Sequence, residues 1–401
     1  MKINLKHVWI VLKKELKDAF RDRKALLVNI ILPMIFIPVI FIISSIAAKS
    51  AVEVKPEKTP ICVIGLENSK SISSMIEKSE FNIVKSTNPK KDLQDGKIKA
   101  VLIIPKDFEK LLSQEKQVNI QILTNEADMK SSNVGNILSN MINEFSKQIV
   151  KQRLIQKNLD PSIIEPVVIN KENVAPPKKQ SATILAFLIP MFLTLWAALG
   201  GMNAAIDITA GEKERGTLEP LLTTAATRSS LVTGKYLAVS IMALLAGLSS
   251  LFGIIASFVL LPSVFGESFK NSPFYGYSVS PLTVLIMLLV VILTAIIFAA
   301  IEVAIASYAR SFKEGQTYLS PLSIIVVIPP YFTMYKMPNE LTDTYFLLPI
   351  VNAISVLKEL IYDIVNLQHL GLFVISSLVY IVISIKFASR MFENEKVLFR
   401  N

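Results

Sequence analysis

The chain has 401 residues, 52% of them hydrophobic, and a mean hydropathy of +0.49, too apolar for a water-soluble globular protein and indicative of a polytopic membrane protein. The formal net charge of +10 resembles a nucleic-acid footprint in size only: the basic residues gather beside apolar runs, so membrane lipid and not nucleic acid is the expected partner. One cysteine, Cys62, excludes an intrachain disulfide and a cysteine-based zinc site, and two histidines, His7 and His369, are too few and too far apart for a metal cluster, so no metal is expected.

Residues 4–23 place Leu5, Val8, Trp9, Leu12, Leu16 and Phe20 at helical spacing, with Lys6, Lys13, Lys14, Lys17 and Arg21 over the remaining surface. This predicts an interfacial amphipathic helix whose basic side meets anionic headgroups while Trp9 and Phe20 enter the acyl boundary. An apolar run at 25–47 follows. Ser45-Ile46-Ala47 has small residues at a signal-peptidase spacing, but the charged segment and the run are both longer than in a signal peptide, so the run is read as a span.

From 49 to 180 the composition becomes mixed and Lys-rich. Strand-like runs at 61–64, 81–84, 100–104 and 118–123 alternate with helical patterns, and an amphipathic stretch at 128–158 follows, which predicts a small α/β domain outside the membrane. Cys62 in the first run reads as a buried small hydrophobe. The chain holds no G-x-G-x-x-G, so the domain is not read as dinucleotide-binding. Pro176 and Pro177 mark the return to the membrane.

Apolar runs at 181–206 and 236–261 enclose a charged island, Gly211-Glu212-Lys213-Glu214-Arg215-Gly216-Thr217-Leu218-Glu219-Pro220-Leu221-Leu222. Gly216 can turn the chain without a Cβ penalty. Thr217 suits the N-cap of a second short helix with Pro220 in its first turn, and Leu218, Leu221 and Leu222 give that helix an apolar face for a partner protein. The plainer reading is a solvated loop, in which Arg228 and Lys235 pair with headgroups or with acidic residues of the island.

The segment from Gly211 to Arg228, followed by Gly234-Lys235, resembles the cytoplasmic loop of type 2 ABC-transporter permeases, especially the NatB-like sodium-efflux permeases. The resemblance extends to residues 14–24, 95–108 and 311–322, and so covers most of the chain. It implies a coupling helix that docks on a separate ABC ATPase through Gly211, Glu212, Glu214, Arg215, Gly216, Thr217, Leu218, Glu219 and Pro220. Beside it would lie the amino-terminal interface helix with Trp9, Glu15 and Arg21. It further implies two copies of this chain with two ATPase copies, and sodium as cargo, although relatives with the same motifs export drugs, antimicrobial peptides or lipid-like molecules. No cofactor is expected on this chain; ATP and magnesium would be held by the ATPase.

The run at 282–306 contains Glu302, the one carboxylate expected within a span. A lone acidic residue at a helix centre costs about 2.5–3.5 kcal/mol on insertion scales, which makes it a candidate for cation handling. The plainer reading has Glu302 reach the nearby interface or pair with Arg310. Asn203, Asp207 and Ser320 are the other oxygen donors expected along a substrate pathway. Lys313 and Glu314 read as solvated turn residues. Pro321, Pro329 and Pro330 interrupt a run at 318–335, a tolerated break and a candidate joint. The segment 346–367 is punctured by Pro349, Asn352, Lys358, Glu359 and Asp363, and the resemblance implies short re-entrant helices on the outer side there. A last run covers 370–388.

Lys and Arg are frequent in the short segments expected inside and sparse in the short segments expected outside, where Lys270, Lys336 and Lys358 stand alone, while the long Lys-rich segment 49–180 is excluded because long domains cross regardless of charge; this predicts both termini in the cytoplasm of a multi-pass cell-membrane protein. The expected organisation is an interface helix (1–24), a first span (25–48), an extracytoplasmic α/β domain (49–180), a second span (181–206), a coupling loop (207–235), spans three to five (236–345), re-entrant outer helices (346–369), and a sixth span with its tail (370–401). No G-x-x-x-x-G-K-[ST], G-x-S-x-G or H-E-x-x-H occurs, and neither histidine lies near a paired carboxylate in sequence, so the chain alone is not expected to be an enzyme. A transport subunit and a membrane sensor or anchor with an outside ligand-binding domain are the two classes left.

Overall fold

In lipid a backbone must satisfy its own hydrogen bonds, and the long apolar runs accordingly form helices. The computed structural model describes residues 3–52, 57, 59–163, 177–266, 274 and 277–393. Contacts divide the chain into Met1–Ser45 with Ala175–Asn401, and Ile46–Val174. Helix α1 (Leu5–Arg21) is capped by Asn4, whose side chain accepts from the Lys6 amide at 3.0 Å. Its buried face is Val8, Val11, Leu12 and Glu15, while Leu5, Trp9, Ile10 and Phe20 are exposed. The apolar stripe is therefore shared: Val8 and Leu12 pack on protein, and Trp9 and Phe20 remain outside. Helix α2 (Arg23–Val52) contains Pro33 and Pro38.

In the unit Ile46–Val174, β1 (Pro60–Ile64), β2 (Asn82–Ile83), β3 (Ala100–Ile103) and β4 (Gln121–Leu123) form one sheet of order β2-β1-β3-β4. β1 is parallel to β2 and β3, with Ile61 opposite Ala100, and β4 runs antiparallel to β3, with Leu102 opposite Ile122. Helices α3 (Lys70–Lys78) and α4 (Pro89–Gln94) connect the parallel strands, α5 (Phe108–Ser113) precedes β4, and α6 (Met129–Gln156) closes the unit. Ile61, Ile72, Ile76, Leu102, Phe108, Val134 and Leu138 form the core, and Cys62 is buried as a free thiol.

After α7 (Pro177–Leu199) the chain turns at Gly200-Gly201 and continues through α8 (Met202–Ile206), a π-helical segment (Asp207–Gly211) and α9 (Glu212–Glu214). Then come α10 (Leu218–Leu222), α11 (Arg228–Phe265) and α12 (Pro281–Tyr308). Helices α13 (Phe312–Val327), α14 (Pro329–Thr333), α15 (Val351–Ile361) and α16 (Leu367–Glu393) complete the unit. Among the described residues five helical stretches are long and apolar enough to cross a membrane: Leu26–Ser44, Ala182–Glu214, Arg228–Ser263, Pro281–Tyr308 and Leu367–Met391. The fifth of the six expected spans, the proline-interrupted run at 318–335, is not among them. The run at 318–335 is divided between α13 and α14, because Pro329 and Pro330 bring no amide hydrogen to the ladder. Helix α15 has 11 residues, all buried, and at 1.5 Å per residue its length of about 16 Å is half a hydrocarbon core.

Two apolar clusters hold the helices together. One joins Phe41 of α2, Leu185 and Ile189 of α7, Ile254 of α11, Met287 and Val290 of α12, Leu357 of α15 and Phe373 of α16. The other joins Ile206 of α8, Val239 of α11, Phe298, Ala299 and Val303 of α12, and Leu319 of α13.

The start of α6 gives a test of the α/β unit. Asp128 caps that helix, accepting from the Lys130 amide at 2.9 Å and from Lys99 Nζ at 2.7 Å. The Lys99 hydrogen bond is the main cause holding this carboxyl below its ordinary value of 3.8. A depressed acid stabilises the fold above its unfolded pKa, and the contribution is lost as pH falls through the lower folded value. Asp128→Ala is expected to cost about 1 kcal/mol, read as faster hydrogen exchange at Val134 and Leu138 at neutral pH. The difference between parent and variant should vanish in acid below the ordinary aspartate range.

Candidate functional site

Three deeply buried charged side chains of the helical unit meet where α1, the π segment and the start of α11 converge. Lys235 Nζ donates to Glu15 Oε1 at 3.0 Å, to Glu212 Oε2 at 2.6 Å and to the Ile208 carbonyl at 2.5 Å. These use all three ammonium donors, and the side-chain exposures of Lys235, Glu15 and Glu212 are 1%, 2% and 4%. Lys14 closes the cluster from its rim, at 2.6 Å from Glu212 Oε1 and 3.2 Å from Glu15 Oε1. Burial works against the Lys14 charge, but the hydrogen bond to Glu212 and the field of both carboxylates outweigh it and hold the group above the ordinary lysine value. Two cations thus balance two carboxylates.

Local sequence explains the convergence. Glu15 falls on the face of α1 that turns to α11, with Val8, Val11 and Leu12. Close approach is possible because Gly234 has no side chain; a Cβ there would meet Val11 at 2.7 Å. The Asn4 amide also donates to Ser230 Oγ at 2.9 Å, and Thr227 caps α11 through the Ser230 amide at 3.3 Å. Inside the π segment the hydrogen-bond ladder is irregular, and cations fill in: Lys235 reaches the Ile208 carbonyl, and Arg215 Nη2 reaches the Asp207 carbonyl at 3.1 Å.

The island is therefore not a uniformly solvated loop. Gly211, Glu212 and Leu218 are buried, whereas Glu214, Arg215, Gly216, Thr217, Glu219 and Pro220 form an exposed ledge. Gly216 makes the turn with φ of +65° and open space where a Cβ would be. Thr217 does not cap α10 with its side chain; its hydroxyl donates to the Glu212 carbonyl at 3.2 Å. Arg215 pairs with Asp207 at 2.7 Å, Glu214 accepts the Phe312 amide at 2.7 Å, and Lys213 donates to the Ser307 carbonyl. The ledge is tied on both sides to α12 and α13. On α1, Trp9 and Arg21 are exposed, while Glu15 is internal.

The oxygen donors expected along a pathway do not come together. Asn203 is exposed, Asp207 is engaged by Arg215, and exposed Ser320 donates to the Thr317 carbonyl of its own helix. Glu302 is fully buried, and neither carboxyl oxygen has a hydrogen-bond partner among the described residues. It neither reaches the interface nor pairs with Arg310, whose amide donates to Glu314. Glu314 is more than a solvated turn residue, since it also accepts from the Tyr318 hydroxyl, whereas Lys313 is exposed in the first turn of α13.

A second cluster has no local signal. His369 Nδ1 lies 2.6 Å from Glu359 Oε1 and its Nε2 lies 3.4 Å from Asp343 Oδ1, with the ring stacked on Phe346 at 3.9 Å. Buried Lys358 donates to the Thr333 carbonyl and ties α15 to α14.

A family profile described as ABC-2 family transporter protein matches residues 24–386. The chain is 31% identical over 366 residues to the ABC transporter permease protein NatB of Bacillus subtilis (strain 168), covering 90% of this chain and 91% of that protein. It is 24% identical over 348 residues to an uncharacterized protein of Methanocaldococcus jannaschii, covering 85% and 80%.

Removing one partner of a buried ion pair strands the other charge, at about 3–5 kcal/mol, whereas an exposed pair contributes about 1 kcal/mol or less. Lys235→Met is therefore expected to loosen α1 from α11, and Arg215→Ala to leave that contact intact. Disulfide trapping between cysteines placed at Asn4 and Ser230 reads the difference: a several-fold loss with Lys235→Met alone is the expected result. Equal trapping in both would show that the buried network does not hold the helix.

Proposed function

The chain belongs to the ABC-2 family of transporter proteins, and from that premise we propose that this permease subunit works in an ATP-driven exporter, with sodium as cargo and a separate ATPase as its source of energy. The observation that carries the proposal is the Lys235–Glu15–Glu212 network, which fastens the amino-terminal helix to a ledge that ends in exposed Glu219 and Pro220. A surface built to receive work has to be rigid behind and accessible in front, and this one is both. The ATPase, with its ATP and magnesium, would dock on residues 214–220 and beside exposed Trp9 and Arg21 of α1.

The full assembly we propose has two copies of this chain and two of the ATPase, both termini in the cytoplasm, and the α/β unit outside. The sixth crossing is α13 and α14 acting together: the Ile328 amide donates to Ile324 and the Tyr331 amide to Ile328, which carries the helical path past Pro329. ATPase closure would then bias a two-state membrane dimer between inward and outward openings.

A specific observation favours a second reading of the cargo. Asn203, Asp207, Glu302 and Ser320 do not converge, and the walls around Glu302 are apolar, which suits an amphiphilic drug, peptide or lipid. The test is co-purification with the ATPase encoded nearby, followed by ATP-driven sodium movement in proteoliposomes. Glu219→Ala with Arg215→Ala should lower ATPase capture or coupled transport about tenfold while the protein still inserts. Unchanged capture and transport would remove the ledge from the mechanism. ATP hydrolysis indifferent to sodium would keep the permease and select the amphiphile, and failure to bind any ATPase would favour a sensor.

A further inference from the structure

Six charged side chains are buried among the described residues: Glu15, Glu212, Lys235, Glu302, Lys358 and Glu359. Five have a polar partner. Lys235 holds Glu15 and Glu212, Lys358 donates to Thr333, and Glu359 meets His369. Glu302 alone has none for either oxygen. Its surroundings are Phe298, Ala299, Val303, Val239 and the backbone at the α7–α8 break, where a Cβ on Gly201 would stand 2.5 Å from Glu302 Oε2. No titratable or charged side chain faces it from α7, α8, α11, α13, α15 or α16 among the described residues. Lys235, one turn before Val239 on α11, is fully engaged elsewhere.

Two ligands suit a lone carboxyl, and they need different surroundings. A hard metal ion wants several oxygens at once, and no second carboxylate faces this one among the described residues. A proton needs nothing beyond the carboxyl itself, and an uncharged acid avoids the cost of a bare charge in an apolar site. We propose that Glu302 is a proton-binding site, occupied in this conformation and emptied when the Gly200-Gly201 break moves away and admits water. The O–H bond of the acid breaks, the proton passes to that water, and the carboxylate is left solvated; on closure the carboxyl takes a proton back before it is buried again.

The location gives this exchange a connection to ATP use, a link that rests on the permease reading above. Gly201 lies on the same stretch, Ala182–Glu214, that ends in buried Glu212 and the exposed ledge. A helix that shifts at the ledge cannot keep Gly201 seated on the carboxyl. Proton release at Glu302 and the docking surface are two ends of one element.

The experiment is labelling of the full-length protein in lipid by dicyclohexylcarbodiimide, which adds to protonated carboxyls in apolar surroundings, read by mass spectrometry of the peptide containing Glu302. Labelling at neutral pH that falls about tenfold per pH unit above one midpoint is the expected result. Glu302→Gln, which preserves shape and should fold, must abolish it. Gly201→Ala, pressing on the carboxyl, should move the midpoint; size-exclusion behaviour checks that this variant is folded, and Val239→Ala, which opens the same wall rather than crowding it, repeats the test if it is not. No labelling at any pH overturns the proposal, and so does protection by sodium at constant pH, which would make Glu302 a metal-ion ligand. In complex with the ATPase, trapping a nucleotide-bound state should change labelling several-fold, and equal labelling in all states overturns the link to the cycle. Labelling of the isolated chain does not depend on an ATPase, so loss of labelling counts against the proton site alone, and failure to bind ATPase counts against the permease reading alone.

Discussion

An ammonium group with 1% of its side chain exposed has no water to rely on, so protein must meet its donors or the charge is too costly to keep. Lys235 solves this with Glu15, 220 residues away, with Glu212, and with a carbonyl of the π segment. Three stretches of chain are committed to one point. Each carboxylate would be stranded without the lysine, and the lysine without them, so α1, the π segment and α11 cannot separate cheaply. That constraint turns an amphipathic surface helix into a structural part of the bundle.

The arrangement also explains why the π segment lies where it does. A regular helix from Ala182 onward would point its carbonyls at its own amides and offer nothing to outside cations. The irregular turn at Asp207–Gly211 gives Lys235 and Arg215 carbonyls to bind. It also sets Glu212 inward and Glu214 and Arg215 outward within three residues. The buried member anchors and the exposed members present. Eleven residues separate Gly201 from Glu212, about 16 Å along a helix, short enough for a displacement at one end to be felt at the other through continuous backbone.

Much of this was legible in the sequence. Hydropathy located the long helices, since apolar length is a one-dimensional property, and alternation with turn signals located the four strands. The island stood out as charge between two apolar runs, and Lys235 was already marked as a cation within reach of its acids. What stayed hidden depends on distance in space. Nothing near Glu15 says that it is internal, because its neighbours Lys14 and Lys17 are surface residues and its burial is decided by Gly234 on another helix. His369 gained two carboxylates from separate turns of chain. The break in the run at 318–335, by contrast, was legible, because Pro329 and Pro330 announce in the sequence the missing amide hydrogens that divide it.

The two ends of the bundle follow one rule with one exception. At α15 the charges that spoil the segment for a crossing, Lys358 and Glu359, are taken up by a backbone carbonyl and a histidine, so a helix too short to span is fully buried without a stranded charge. At α1 the same accounting closes on Lys235. Glu302, near the end of α12, breaks the rule, set against a glycine whose missing side chain leaves just enough room for it. A packed apolar interior has no structural use for an unpaired carboxyl, which neither strengthens the packing nor satisfies a neighbour. Its presence costs stability that an aliphatic residue would not.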